Sequence, residues 1–284
     1  MARERLPQAF AGVAVDHYLP LANKVCGWRR DQSVPLTLAV NGAQGTGKST
    51  LAAALAAMCE QVGGLRSAVL SIDDLYLTKA ERATLAASEH PLLKTRGVPG
   101  THDVELGETV LAELLAGRPV KLPSFDKAVD DRRPESQWHL TAEAVDLIIL
   151  EGWCVGTTAQ PDAALVDPVN ELEAREDEGG LWRRYVNDAL ATRYRTFFDR
   201  FERLVMLRAP DFDCVYRWRG KQEAKLRARV AGQADQSGVM NEEQLARFIQ
   251  HYERLTRWTL SEMPARADVT FRLAEDHTIV GGRQ

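Results

Sequence analysis

Cysteine is scarce and scattered in this chain. Cys26, Cys59, Cys154 and Cys214 lie far apart in 284 residues and form no Cys-x-x-Cys pair. That excludes a zinc ribbon or a disulfide framework and points to a reducing, cytoplasmic compartment with four buried thiols. The six histidines show no metal-site spacing. No run of about 18 apolar residues exists, so no membrane span is expected. Met1-Ala-Arg-Glu-Arg5 carries no apolar segment of the kind that opens a signal peptide. Strong charge of one sign is missing too: the net charge of −4 gives no global attraction to nucleic acid or an anionic membrane. Repeats and low-complexity linkers are absent, and 45% apolar residues suffice for a sizeable core. One domain over residues 1–284 is therefore expected, with 1–34 as a helical segment packed on it. No Asn-Lys-x-Asp guanine-reading motif occurs, which disfavours a GTPase switch, and nothing in the sequence fixes the oligomeric state.

What is present begins with Thr37-Leu-Ala-Val-Asn-Gly-Ala-Gln-Gly-Thr-Gly-Lys-Ser-Thr-Leu51. An apolar run enters Gly42-x-x-x-x-Gly47-Lys48-Ser49, and a helix-forming run follows, which is the P-loop pattern in its proper context. The chemistry dictates the residue types. Gly42, Gly45 and Gly47 permit the dihedrals that turn backbone N–H groups inward, together with those of Ala43, Gln44, Thr46 and Thr50. Lys48 can reach the β- and γ-phosphates of ATP, and the Ser49 hydroxyl is the expected Mg2+ ligand.

The remaining pattern alternates strands and helices. Strands are expected at Pro35 to Val40, Ser67 to Ile72, Val145 to Leu150, Leu204 to Arg208 and Asp268 to Leu273. Helices are expected at Val104 to Leu115, Leu181 to Phe198, Asp211 to Val230 and Asn241 to Met263, the last opened by Asn241 with Gln244. Residues 84–101 and 121–133 read as loops, and 162–180 as an acidic irregular stretch. Strand, helix, strand within about forty residues is a βαβ unit, so the fold class is α/β. The specific expectation is a P-loop NTPase three-layer sandwich with a five-stranded parallel sheet flanked by helices and a helical lid.

Ligands of open parallel sheets bind at the C-terminal ends of strands. Asp73 and Asp74 stand at such an end. Transfer of a phosphoryl group to a hydroxyl needs a carboxylate that orients the acceptor and takes its proton; a helix cap or a solvated turn is the ordinary alternative, and one of the pair can do each job. Glu151, after an apolar strand, suits magnesium, or merely ends the strand. Arg96 to Asp103, with Lys127 and Arg133, offers cations for a small anionic acceptor. The basic helix carries Arg217, Arg219, Lys221, Lys225, Arg227 and Arg229. It reads either as a solvated face or as a lid that brings cations onto the phosphoryl group, followed by a mobile stretch at Gly232 to Gly238.

Five strings carry a resemblance: Gly42 to Ser49, Ser71-Ile-Asp-Asp-Leu-Tyr-Leu-Thr78, Arg96-Gly-Val-Pro-Gly-Thr-His-Asp103, Pro123-Ser-Phe-Asp-Lys127 and Leu150-Glu-Gly-Trp153. In this order they resemble the D-glycerate 3-kinase family, the plant-type glycerate kinases and their microbial relatives. That group sits in the phosphoribulokinase, uridine kinase and pantothenate kinase branch of P-loop kinases. The resemblance implies phosphorylation of D-glycerate to 3-phosphoglycerate with ATP and Mg2+, a small carboxylate acceptor, and neither a nucleic-acid nor a membrane partner. It maps Asp73 onto the catalytic base and Glu151 onto the post-strand acid; with the P-loop and basic-helix readings above, Lys48 and Arg217 or Arg219 are expected on the phosphoryl group and Ser49 and Glu151 on the metal. Tyr76, Arg96, Thr101, His102, Asp103 and Lys127 fall on the acceptor side, with Arg96 and Lys127 holding the carboxylate. A kinase of a nucleoside or of pantothenate, and a non-catalytic nucleotide-binding or ATPase protein, are the alternatives.

Overall fold

The computed structural model describes residues 10–141, 143–230 and 240–283. Among the described residues ten strands are formed: β1 (Leu36–Gly42), β2 (Ser67–Ser71), β3 (Val120–Leu122), β4 (Phe125–Asp126), β5 (Asp131–Arg132), β6 (His139–Thr141), β7 (Leu147–Gly152), β8 (Arg203–Arg208), β9 (Val269–Leu273) and β10 (Ile279–Arg283). The central sheet has the order β10-β9-β8-β1-β7-β2. β1, β2, β7, β8 and β9 run parallel, as expected, with helices flanking the sheet. The sixth strand, β10, was not foreseen; it folds back antiparallel on β9 after a turn at Asp276 and His277. Its sequence, Ile-Val-Gly-Gly-Arg, carries two glycines that weaken any strand signal.

Every residue of β1 and β7 is buried, because both strands lie inside the sheet and are covered on both faces. β2, at the edge, alternates instead. The register carries the functional consequence. Glu151 on β7 lies level with Val40 on β1 and with Ser71 on β2. The P-loop, Glu151 and the residues after Ser71 therefore leave the sheet at one height on its C-terminal rim.

The helix Lys48–Gly63 packs on β1, β2 and β7, and the N-terminal helix Leu19–Arg30 packs on it in turn. Gly64 ends the former in the left-handed region, as a C-terminal glycine should. Among the described residues no helix is long and apolar enough to cross a membrane. All four cysteines are buried and free.

Three expectations need correction. The loop assigned from Thr84 begins inside a helix, Lys79–Ser88, whose Thr78 and Glu81 form a capping box. The segment 121–133 belongs to two nested antiparallel ribbons, β3 with β6 and β4 with β5; strands of two or three residues are too short to display alternation. The acidic stretch holds a short helix, Glu171–Glu176. Two of its acids are buried as ion pairs, Glu173 with Arg254 at 2.6 Å and Asp177 with Arg183 at 3.0 Å. A charge run reads as solvated until its partners, far off in sequence, are placed.

Candidate active site

The donor side is one contiguous stretch. β1 ends at Gly42, and the helix begins at Lys48 with Gly47 as its N-cap and no side-chain cap. Leu51 N–H bonds to Gly47 carbonyl at 2.9 Å, so the amides of Lys48, Ser49 and Thr50 have no intrahelical partner and remain for an anion. Gly45, at φ +87°, sits against the buried Trp218, whose Cβ would be 2.7 Å from any added Cβ. Thr46 turns its hydroxyl and its amide onto Ala43 carbonyl, at 2.8 and 3.2 Å, which closes the loop. Gln44 Oε1 is buried without a partner among the described residues.

Ser49 Oγ donates to Glu151 Oε1 at 2.9 Å. Glu151 is 5% exposed, and its Oε2 is buried with no partner among the described residues. A buried carboxylate oxygen without a donor is costly. A hydroxyl and a carboxylate beside a phosphate loop form the hard-oxygen donor set that Mg2+ takes, so the residues fit that ion.

Asp73 lies on the 3-10 turn Ile72–Leu75 that follows β2. Its Oδ1 accepts from Tyr76 hydroxyl at 2.9 Å and its Oδ2 from Lys127 Nζ at 2.7 Å. Burial alone would raise its pKa. The ammonium groups of Lys127 and Lys48, with these two hydrogen bonds, outweigh burial and hold the carboxyl well below the usual carboxylate range. Asp74 has the other job. Its Oδ1 accepts from Phe125 N–H at 2.9 Å and so anchors β4 to the rim. Burial pushes its pKa up to about 6, with Asp73 and Glu151 adding to the rise against the Phe125 amide and Lys127.

The segment 96–103 is stitched tightly. Thr101 Oγ1 accepts from Gly97 N–H at 3.0 Å and donates to Val98 carbonyl at 2.7 Å. Asp103 caps the helix Val104–Leu115 through Leu106 N–H at 3.0 Å and pairs with Arg132 at 3.1 Å. Both side chains are thus engaged in building the loop. Trp153 Nε1 donates to Gly97 carbonyl at 3.0 Å and Tyr252 hydroxyl to Arg96 carbonyl at 3.2 Å, which fixes the backbone to β7 and to the helix Glu242–Glu262. Gly100 adopts φ +103° against the ring of Tyr185.

Arg96 keeps its head in the site. It pairs with Asp130, lies 5.6 Å over the Phe125 ring and is 24% exposed. Asp130 also accepts from the fully buried Arg82, at 2.7 Å. Tyr76 stacks on His102 with 4.6 Å between ring centroids and 21° between planes. Arg133, the weaker cation candidate, is spent on Asp126 at 2.5 Å.

Arg217 and Arg219 do not point the same way, because residues two apart on a helix are about 200° apart around it. Arg217 pairs with Glu275 at 3.1 Å, while Arg219 pairs with Glu223 at 3.0 Å and lies over Phe248. At most one of them faces a given phosphoryl group. The side chains of Lys225, Arg227 and Arg229, and the stretch Gly232 to Gly238, lie outside the described residues.

Sequence reading missed Asp130 as a bridge between two arginines, Tyr252 and Trp153 as anchors, and Tyr194, which reads only as one apolar position of a helical stripe. Trp218, beneath the P-loop, carried no signal either. A separate cavity of about 680 Å³ is lined by Arg195, Glu202, Arg203 and Asp268, near the opposite ends of β8 and β9. It shares no residue with the P-loop or the 96–103 segment.

No family model matches the chain. Among curated proteins it is 37% identical to the kinase mug58 of Schizosaccharomyces pombe, over 77% of this chain and 78% of that one. It is 30% identical to the "Probable ATP-dependent kinase TDA10" of Saccharomyces cerevisiae, over 77% and 75%. Among solved structures it superposes on the D-glycerate 3-kinase of Cryptococcus neoformans with a TM-score of 0.75 and 25% identity, covering 94% of this chain and 98% of the other. A phosphate loop on the rim that carries Asp73, identity to these kinases over 77% of the chain and a fold shared with the Cryptococcus enzyme over 94% of it together establish that the protein belongs to the D-glycerate 3-kinase family of P-loop kinases.

Proposed function

We propose that this kinase transfers the γ-phosphoryl group of ATP to the 3-hydroxyl of D-glycerate. The observation that carries the reading is Asp73, ionised between Lys48 of the P-loop and Lys127 of the β4–β5 turn. On this reading it lies between the donor and acceptor sides, the position a general base needs. The likeness to the Cryptococcus enzyme supports glycerate as the acceptor.

In this mechanism the free amides at residues 48–50 and the Lys48 ammonium bind the ATP phosphates. Arg96 and Lys127 take the acceptor carboxylate. Lys127 thereby leaves Asp73, which loses its nearest positive charge and becomes a stronger base. The acceptor oxygen attacks the γ-phosphorus while Asp73 accepts its proton. The new O–P bond forms as the bond from γ-phosphorus to the bridging oxygen breaks, and ADP leaves. Ser49 and Glu151 would hold Mg2+, which when bound neutralises charge on the phosphate oxygens. Arg219 or Arg217 adds a cation to the transferring group.

The test is a panel of D-glycerate, L-glycerate, pantothenate, uridine and no acceptor, followed by ADP release and by 31P NMR of the product. ADP release that depends on D-glycerate, with 3-phosphoglycerate as product, is expected. A faster acceptor elsewhere in the panel, or ATP turnover indifferent to any acceptor, overturns the assignment.

A further inference from the structure

Tyr194 is buried completely, at the end of a π-helical turn, Leu190–Tyr194, inside the longer helical run. Such turns are locally unfavourable and recur at functional sites. Three groups converge on its hydroxyl oxygen. Gly100 N–H donates to it at 2.9 Å and His102 N–H at 3.3 Å, and His102 Nδ1 lies 2.7 Å away. A phenol oxygen has a single proton to give. The two amides can only donate, so they occupy the oxygen's acceptor capacity. The phenol proton then has one destination, His102 Nδ1, which must accept it.

The consequence for the imidazole follows from its two nitrogens. With Nδ1 accepting, the neutral ring carries its proton on Nε2. The charged ring would need a proton on Nδ1 as well, and that proton would face an oxygen already supplied with donors. Burial acts in the same sense and pushes the His102 pKa down to about 3, with Arg193 assisting and Asp73 opposing. His102 is 3% exposed, and its Nε2 has no partner among the described residues. It is a fixed, neutral N–H donor with no acceptor among the described residues.

Its surroundings indicate what completes it. The His102 ring is stacked on Tyr76, whose hydroxyl donates to the base Asp73 at 2.9 Å, and the two residues share a backbone bridge. Nε2 lies on the ring edge away from Tyr194. A neutral donor in the field of the Asp73 carboxylate suits an oxygen of the acceptor, either a hydroxyl or a carboxylate, without adding a charge that would weaken the base.

We propose that Tyr194 is a positioning residue of the acceptor site, which locks His102 in the Nε2–H form so that Nε2 donates a hydrogen bond to an acceptor oxygen. This rests on the reading of the enzyme as a kinase of a small oxygen-rich acceptor, and its test has one arm free of that reading. In long-range 1H–15N spectra of the histidine-labelled protein, without substrate, His102 should show the Nε2–H tautomer in the wild type and a mixture in Tyr194→Phe. Saturating acceptor should shift the Nε2 signal. In kinetics, Tyr194→Phe should raise the acceptor KM about tenfold, the worth of one hydrogen bond, and leave the ATP KM unchanged. His102→Gln, whose amide N–H reaches the Nε2 position, should retain acceptor affinity better than His102→Asn. An Nδ1–H tautomer in the wild type, an Nε2 signal indifferent to acceptor, or equal rises in both KM values in Tyr194→Phe would each overturn the proposal. If D-glycerate is not phosphorylated at all, the acceptor identified by the panel replaces it in these arms, so loss of the glycerate reading and loss of the Tyr194 role are separate results.

Discussion

Asp74 offers a test in which the sign depends on pH. The group titrates near 6 in the folded protein, against an ordinary 3.8, because burial and the neighbouring Asp73 and Glu151 carboxylates disfavour its charge. A folded state that holds its proton more tightly than the unfolded chain is progressively destabilised as pH rises through that interval. The penalty is absent well below pH 3.8 and complete above pH 6, where a difference of about two pH units amounts to about 3 kcal/mol. Asp74→Asn keeps an oxygen to accept from Phe125 N–H and discards the charge. The variant should therefore be more stable than the wild type at pH 8 by up to about 3 kcal/mol, and by about half as much at pH 5. Urea unfolding followed by the fluorescence of the six tryptophans gives both values. Turnover should survive if the proton goes to Asp73 as proposed. A gain equal at the two pH values, or a loss at both, would refute the electrostatic argument. Loss of all activity would refute the division of labour between the two aspartates.

Asp73→Asn should cut turnover by about 10² to 10⁴ and leave ATP binding intact, which initial-rate kinetics and nucleotide titration separate. Arg96→Ala should raise the acceptor KM by about 10- to 100-fold with little change for ATP, the worth of a charge-assisted hydrogen bond; equal rises for both substrates would remove Arg96 from the acceptor. Gly100→Ala combines φ +103° with a Cβ 2.5 Å from Tyr185 Cε1, so it should cost about 2 to 4 kcal/mol in urea unfolding. Gly64→Ala, at φ +66° in open space, should cost only about 1 kcal/mol, and equal losses at the two positions would contradict the packing argument.

The donor half was legible because its chemistry is local. Eight consecutive residues supply the amides, the lysine and the hydroxyl, and the strand before them and helix after them follow from ordinary periodicity. Glu151 and Asp73 were legible by position, since ends of parallel strands share a rim. The acceptor half is spread over the chain. Arg96 reaches Asp130, His102 reaches Tyr194 and Gly97 reaches Trp153, across separations no periodicity encodes. Tyr194 illustrates the limit: its apolar ring fits a helical stripe, and only the fold reveals that its hydroxyl meets two amides. Thr101 and Asp103 illustrate the converse. Their placement in a specific string suggested substrate contacts, and the fold adds a structural task the string does not encode, closing the loop and capping a helix.

The proposed acceptor side, with its charges already paired, carries an expectation about selectivity. Lys127 is already paired with Asp73, and Arg96 with Asp130. On the proposed reading, an anionic acceptor exchanges partners instead of adding to bare cations, and each new ion pair is partly offset by the one it breaks. If Arg96 and Lys127 bind the acceptor as proposed, that arrangement penalises neutral acceptors, which can displace neither aspartate. It also links binding to chemistry. While Lys127 stays on Asp73, the carboxylate is held far below the range of a useful base. On the proposed mechanism, water entering without an anion leaves that pair closed and meets a poor base, which would suppress wasteful ATP hydrolysis. In the proposed mechanism an acceptor that draws Lys127 away raises the basicity of Asp73 at the moment its hydroxyl arrives. Lys127→Ala should uncouple the two: acceptor-independent ATP hydrolysis should rise relative to acceptor phosphorylation, measured as ADP released per acceptor phosphorylated. A ratio unchanged from the wild type would mean that Lys127 serves only to bind the acceptor, and that the strength of Asp73 as a base is set without it.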